Sequence, residues 1–256
     1  MSEAYDPDNL LDRRLAKPAT LQLHYDNLFR RERELLAPRL WPGGDALSVG
    51  CGWNPGRHLF PAGAWRMTGV DLDAAKPFTL AAEGVLERGL GGRAGELELD
   101  DAAFDAVLYR LVLHHVAFQA PLAPVFVEAA RLLRPGGLLI AVEPGRRHPV
   151  GAALALANLA GVGSAVHGTP DDLPLSPRTL LREARAAGLA AELHALTYSW
   201  RRMAPALQRS LWALDAALGS RSRAALFGHT LMLVARKPVA PNEALNGSRS
   251  AWARRR

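Results

Sequence analysis

The sequence predicts an α/β fold, a doubly wound and mostly parallel sheet with helices on both faces, and three observations carry that expectation. An apolar run, Ala46-Leu47-Ser48-Val49, ends in Gly50-Cys51-Gly52. A second short apolar run, 67–70, ends in Asp71, 19 residues after Gly52. Beyond it, short apolar runs alternate with stretches of helical spacing, the sequence signature of strands joined by crossing helices. Glycines on either side of Cys51 let a backbone approach a ligand with no Cβ in the way. The element that follows begins with unpaired N–H groups. An acid at the tip of the second strand can accept hydrogen bonds from both hydroxyls of a ribose. The pattern is that of a sheet that holds a nucleoside.

The elements follow in order. Residues 1–19 are polar and contain proline, so a flexible segment is expected. Over 20–37, Leu21, Leu23, Leu28, Phe29, Leu35 and Leu36 fall at helical spacing. The first strand is expected at 46–50. Pro61 follows 56–60 too closely for a good crossing helix, so 53–66 is expected to be short or irregular. The second strand is 67–71, a helix covers 78–90 behind Pro77, and 91–101 is loop with a short strand. The fourth core strand is 106–110. A helix over 122–133 stops at Pro135-Gly136-Gly137, and 138–142 is the next strand. Residues 176–188 read as a capped helix, with Ser176 as N-cap, Pro177 at the first position and Gly188 as the stop. The last strands are 190–196 and 230–235. A single domain is expected over 20–237, followed by a basic, disordered tail at 238–256.

Which nucleoside is held depends on what lies downstream. Gly56 comes four places after Gly52 with Pro55 before it, which is not dinucleotide spacing. Residues 92–115 read GRAGELELDDAAFDAVLYRLVLHH, and 129–144 read AARLLRPGGLLIAVEP. With these segments in this order, the chain resembles class I S-adenosylmethionine-dependent methyltransferases, most closely the small-molecule, methyltransferase type 11-like branch related to quinone and natural-product enzymes. The first segment looks like that family's acidic loop, the Phe104-Asp105-Ala106-Val107 of its fourth strand and its Leu113-His114-His115. The second is similar to the family's Leu-Arg-Pro-Gly-Gly turn into the fifth strand. The resemblance covers residues 20–237, and is strongest over 44–144. It implies a Rossmann-like seven-stranded sheet with the last strand antiparallel, S-adenosyl-L-methionine as methyl donor and S-adenosyl-L-homocysteine as product.

The resemblance also implies roles for residues. Gly50 and Gly52 would take the methionine end of the cofactor, with Cys51 as small packing between them. Asp71, with Leu72 beside it, would hold the ribose diol; the alternative is that Asp71 only caps the following helix. Ala94 and Gly95 would offer backbone N–H to the adenine. His24 and Tyr25 on the first helix would close over the cofactor. Two positions depart from the family: Ser48 stands where it usually carries an acid, and Arg93 where it commonly has Asp. Trp53-Asn54-Pro55 is an insertion. Arg110, at the tip of the fourth strand, either grips a substrate carboxylate or phosphate or pairs with Glu143. His114 and His115 are candidates for a general base, or are a packing element. His148 and Glu143 are candidates for substrate contact. No His/Cys/Asp/Glu cluster has metal-ligand spacing, so no metal is expected.

Composition bounds the rest. The 256 residues suit one α/β domain. One cysteine excludes an internal disulfide, and 1–12 has no apolar targeting segment, so a cytoplasmic protein is expected. The net charge is +6, and Arg249, Arg254, Arg255 and Arg256 in the tail are opposed there only by Glu243. No basic stripe carries neighbouring aromatics, so no nucleic-acid partner is expected. Residues 150–166 carry no charge but are too short and glycine-rich to span a bilayer; they are expected to form a lid helix or to pack in the core. Residues 203–227 are amphipathic, with Leu207, Leu211, Leu214 and Leu218 on one face and Trp212 beside them. The lid elements 20–37, 145–170 and 203–227 together suggest a hydrophobic pocket for a small, largely apolar acceptor, whether natural-product, quinone-like or lipid-like. Methyl transfer would rest mainly on positioning. The rival expectation keeps the fold without methyl transfer and uses the pocket for binding or another reaction such as a cyclisation. Peripheral membrane binding through Trp252 and the terminal arginines is a third. Monomer and homodimer are both left open.

Overall fold

The computed structural model of the chain describes residues 18–162 and 173–239. The expectations for 1–17, for 163–170 of the lid and for the tail from 240 lie outside the described residues. The first helix, α1 (Pro18–Leu36), opens on a proline whose missing N–H costs nothing at that position. It buries Leu21, Leu28, Leu35 and Leu36. Strand β1 (Gly44–Val49) is followed by turns over 50–64, as the prolines there dictate. Strand β2 (Trp65–Asp71) leads to helix α2 (Ala75–Ala82), then to the short strand β3 (Arg88–Gly91).

Here the sequence expectation is corrected: 78–90 is not one helix. The helix ends after two turns where Gly84 adopts φ +73. Gly89 then lets β3 lie against α2, since a Cβ there would stand 2.1 Å from the Pro77 carbonyl oxygen. The short strand therefore comes before the 91–101 loop and not within it.

Strand β4 (Phe104–Arg110), helices α3 (Leu113–Gln119) and α4 (Ala123–Leu132), and strand β5 (Leu133–Pro144) complete the centre. Helix α5 (Pro149–Leu159), helix α6 (Pro177–Ala186), strand β6 (Ala190–Thr197), helices α7 (Pro205–Leu218) and α8 (Ser222–Ala225), and strand β7 (Thr230–Arg236) follow.

The sheet has seven strands in the order β3-β2-β1-β4-β5-β7-β6. Pairs from β3 to β5 are parallel, and β7 runs antiparallel to both β5 and β6. This is the expected seven-stranded, doubly wound architecture. Successive side chains of a strand point to opposite faces, and both faces are buried. Val107, Tyr109, Leu139 and Ala141 pack with α4 and α6 on one side. Ala106, Leu108, Ile140 and Val142 pack with α1 and α2 on the other. Strands β2 and β4 lie on opposite sides of β1, so a crevice opens at the carboxyl ends of these three strands.

Helix α7 corrects a second expectation. Leu207 and Leu214 are exposed, while Gln208 and Asp215 are fully buried. Asp215 accepts from Asn27 Nδ2 at 3.3 Å and from the Tyr198 N–H at 2.7 Å, and its carbonyl accepts from Arg31 at 3.1 Å. Polar groups on α1 are thus met by the polar face of α7, and its leucines line neither of the two cavities described below.

Candidate functional site

The turn after β1 sits at the crevice. Gly50 and Gly52 have φ of +64° and +51°, conformations that favour glycine. A Cβ on Gly50 would also lie 2.3 Å from Val112 Cγ2. Asp71 ties this turn to β2, with Oδ2 accepting from the Gly52 N–H at 2.9 Å and Oδ1 from the Asp73 N–H at 3.0 Å. It does not cap the next helix, whose N-cap is Ala74. Cys51 is buried, and burial, with the Asp71 charge beside it, pushes its thiol up to about 12. A thiol so raised is no nucleophile at neutral pH.

A cavity of about 710 Å³ opens on these groups. Gly50, Cys51, Gly52, Asp71, Leu72, Ala94, Gly95, Arg110 and Tyr25 all line it. Ser48 does not; it is buried within β1. Arg93 and Glu96 are also in the wall. Gly95 is not available as expected: its N–H donates to Glu128 Oε2 at 2.7 Å, and the Leu97 N–H donates to the same carboxylate. Glu128 thus fixes the 91–101 loop from α4. Sequence reasoning missed it, although an acid among Val125, Phe126, Ala129 and Leu132 on a buried helix face was the available signal.

Strand β4 ends in an abrupt turn, with Leu111 at φ +55°. The next two N–H groups, of Val112 and Leu113, donate to Glu143 Oε1 at 3.0 and 2.8 Å. Glu143 Oε2 meets His114 Nδ1 at 2.6 Å. A carboxylate at the start of α3 satisfies donors that a helix leaves unpaired. It also receives the Nδ1–H of His114, so the neutral ring carries its lone pair on Nε2. The His115 ring lies 4.0 Å from the His114 ring.

Arg110 pairs with Glu32 of α1 at 3.5 Å and lies 4.9 Å over the Phe29 ring. The expected Arg110–Glu143 pair is therefore corrected, because the carboxylate of Glu143 is taken by α3 and His114. Glu32 is fully buried and also meets His58 Nε2. Burial alone would raise its pKa; Arg110 and His58 outweigh burial and hold it below the usual carboxylate range.

A second cavity of about 350 Å³ adjoins the first, and Tyr25, Leu111, His115 and Arg201 line both. Gly151 and Leu154 of α5 contribute to its wall. Neither Glu143 nor His148 lines either cavity. The His148 Nδ1 accepts from the Val150 N–H at 3.3 Å, and its Nε2–H donates to the Tyr198 carbonyl at 3.1 Å. His148 is thus the N-cap of α5, and Glu143 caps the start of α3. Polar groups stand beside the apolar ones in the smaller cavity. The second wall carries His24, His114, His115 and His229 with Arg201 and Arg202. Burial, then Arg201, pushes His24 down to about 3. Burial also holds His229 well below its ordinary value of 6.5, helped by His24, His148 and both arginines. These two rings are neutral at pH 7. Among the described residues, no three His, Cys, Asp or Glu side chains are set to hold a metal ion. No described helix is long and apolar enough to cross a membrane.

A seven-stranded sheet with one antiparallel strand, a glycine turn after its first parallel strand and an acid at the tip of the second make an α/β domain with the methyltransferase type of fold. Residues 47–141 match the methyltransferase domain family. A probable S-adenosylmethionine-dependent methyltransferase of Mycolicibacterium smegmatis is 34% identical over 149 residues, 55% of this chain and 56% of that protein. The chain thus spans about half the length of the curated relative it matches. A Thermotoga maritima methyltransferase, described as a possible histamine N-methyltransferase, has a TM-score of 0.55 at 17% identity, over 86% of this chain and 96% of that one. The [4+2]-cyclase SpnF has a TM-score of 0.55 at 24% identity, over 82% of this chain and 81% of that one. A chain from the complex of the Haloferax volcanii Trm112 activator with a putative methyltransferase has a TM-score of 0.57 at 20% identity, over 87% and 95%. The solved structures share the fold. Over residues 47–141 the chain is similar to the methyltransferase domain family, and its sheet has the fold of class I S-adenosylmethionine-dependent methyltransferases.

Proposed function

We propose that this protein transfers a methyl group from S-adenosyl-L-methionine in the larger cavity to a small-molecule acceptor in the smaller one. The observation that carries the reading is the junction itself: Leu111 and His115 line both cavities, while Gly50, Gly52 and Asp71 line the larger. The residues fit the donor, since the left-handed turn at Gly50 and Gly52 brings backbone to the wall of the larger cavity with Asp71 beside it. Backbone at Gly50 and Gly52 takes the methionine end, and the Asp71 carboxylate takes the ribose hydroxyls. When bound, the donor supplies a methyl group already activated on a sulfonium. The chain's own work is alignment and exclusion of water. For a hydroxyl acceptor, His114 takes the proton on Nε2 as the oxygen gains the methyl carbon, and the electron pair of the broken bond stays on sulfur. Glu143 positions His114 for this and stabilises its charged form. The single, buried Cys51 suits a reducing, cytoplasmic setting.

The alternative, the same fold without methyl transfer, rests on Ser48 and Arg93 standing where the family carries acids. One titration decides between them. Calorimetry with S-adenosylmethionine and S-adenosylhomocysteine is expected to give micromolar binding, weakened roughly 10- to 100-fold in Asp71→Ala. No binding to about 1 mM would remove the methyl-transfer reading.

A further inference from the structure

A chain of buried polar side chains runs from the contact between α1 and α7 to the wall of the smaller cavity. It starts at Asp215 of α7 and passes through Thr197, at the end of β6, and Ser199 to His24 of α1. All four are at most 3% exposed. The charge at one end gives the chain a direction. Both carboxylate oxygens of Asp215 accept, Oδ1 from the Tyr198 N–H at 2.7 Å and Oδ2 from Asn27 Nδ2 at 3.3 Å. A carboxylate has no hydrogen to give, so the Thr197 hydroxyl donates to it. The Thr197 oxygen can then only accept, from the Ser199 N–H at 3.0 Å and from the Ser199 hydroxyl at 2.9 Å. The Ser199 hydroxyl has now given its one hydrogen as well, so it accepts from His24 Nδ1 at 3.5 Å. Such bonds are often long before a ligand is bound. With the hydrogen on Nδ1, the lone pair of the neutral ring is on Nε2. No hydrogen bond joins Nε2 to another described residue, and the ring lines the cavity. Burial, then the Arg201 charge, keeps this ring neutral, with its pKa down at about 3. It therefore accepts a hydrogen bond at pH 7 without becoming a cation.

We propose that Asp215, acting through Thr197 and Ser199, fixes His24 Nε2 as a hydrogen-bond acceptor in the acceptor chamber, and that the methyl acceptor carries a second polar hydrogen, on a hydroxyl or amino group, which binds there. This rests on the reading of the smaller cavity as the acceptor chamber. His24 holds the molecule, while His114 takes the proton of the atom that is methylated. Dihydric phenols and amino alcohols carry such a pair of groups. A molecule with one polar group leaves either His114 or His24 without a hydrogen to accept. An apolar body is compatible with this, since Leu28, Leu111 and Leu154 line the same cavity. Asp215, Thr197 and Ser199 are positioning residues: they touch no ligand and set which nitrogen of His24 meets it.

The test uses donor-free, full-length protein with nitrogen-labelled imidazoles, and two probes of similar shape: phenol, which has a hydroxyl hydrogen, and anisole, which has none. The nitrogen resonances report the His24 tautomer, expected to be Nδ1–H in the wild type. Thr197→Val breaks the chain in the middle. The Ser199 hydroxyl is then left with Nδ1 as its acceptor, so the ring should move its hydrogen to Nε2. Asp215→Asn removes the charge that orients the chain and should move the ring the same way. Phenol should bind the wild type about three- to tenfold tighter than anisole and shift Nε2 of His24. In Thr197→Val the two probes should bind alike. A wild-type ring with its hydrogen on Nε2 would overturn the proposal. So would a tautomer that stays Nδ1–H in both folded variants, phenol binding no tighter than anisole, or phenol bound with no shift at His24. If neither variant folds, the wild-type tautomer and probe ratio decide. S-adenosylmethionine titrated separately shows whether the donor reading fails, since the tautomer does not depend on it.

Discussion

Glu143 and His114 form a fully buried pair in which one carboxylate does two things: Oε1 closes the start of α3 and Oε2 holds His114 Nδ1 at 2.6 Å. The two tasks can be separated by substitution. Glu143→Gln keeps an oxygen for the Val112 and Leu113 N–H groups but presents an amide N–H₂ to Nδ1. The imidazole must then place its proton on Nε2, the wrong tautomer for a base facing the cavity. With a hydroxyl acceptor, kcat should fall about 10²- to 10⁴-fold while urea denaturation shows a modest loss. Glu143→Ala leaves buried donors unpaired and should cost about 3 kcal/mol or more. Wild-type kcat in Glu143→Gln would remove His114 from the proton path.

Gly50 and Val112 set the closeness of the first turn to the start of α3. In Gly50→Ala the new Cβ meets Val112 Cγ2 at 2.3 Å, at φ +64°. The left-handed conformation costs about 1–2 kcal/mol and the overlap about 1–3 more. Val112→Ala relieves only the overlap. A double-mutant cycle by chemical denaturation should therefore give a coupling of about 1–2 kcal/mol, with the strain of the backbone remaining. An equal cost of Gly50→Ala in both backgrounds would show that Val112 moves aside freely.

The Arg110–Glu32 pair is buried on both sides. Arg110→Met leaves the buried Glu32 to His58 and should cost about 3 kcal/mol. The double change Arg110→Met with Glu32→Leu should recover most of that. Added salt should affect the wild-type pair little, since screening acts mainly on exposed charges. If Arg110→Met folds with full stability but loses turnover, the arginine serves the substrate and not α1.

What was legible in the sequence was local. The Gly50-Cys51-Gly52 turn, Asp71, β4 and the Arg134-Pro135-Gly136-Gly137 run into β5 each declare themselves within a few residues, and the order of such segments carried the seven-stranded sheet. What was illegible was pairing at a distance. Nothing near Glu143 shows that it caps α3, nothing near Glu128 shows that it holds Gly95 and Leu97, and Arg110 meets an acid from the first helix. Period alone misled at 78–90, where the apolar spacing is helical but Gly84 and Gly89 divide it into α2 and β3. It misled again on α7, whose leucine stripe is regular while the interior it faces is polar, with Asn27 and Arg31 waiting for Asp215.

The neutral imidazoles make stability depend on pH in a definite direction. His24 falls from an ordinary value of 6.5 to about 3, and His229 falls well below 6.5, both mainly through burial. Between pH 6.5 and about 3 the unfolded chain therefore binds protons that the native chain refuses, so stability must drop as pH drops through this window. Each such histidine contributes up to about 1.4 kcal/mol per pH unit once the unfolded ring is fully charged. Glu32 has its pKa lowered instead, so its contribution is present above the ordinary carboxylate value of 4.5 and is lost only as pH falls below it. The range from pH 6.5 to 5.5 is therefore governed by histidine. Urea midpoints taken across it should fall with acidification, and His24→Gln should reduce that slope by about one proton at its lower end. A slope unchanged by His24→Gln would mean that the chamber opens to water and protonates His24 without unfolding.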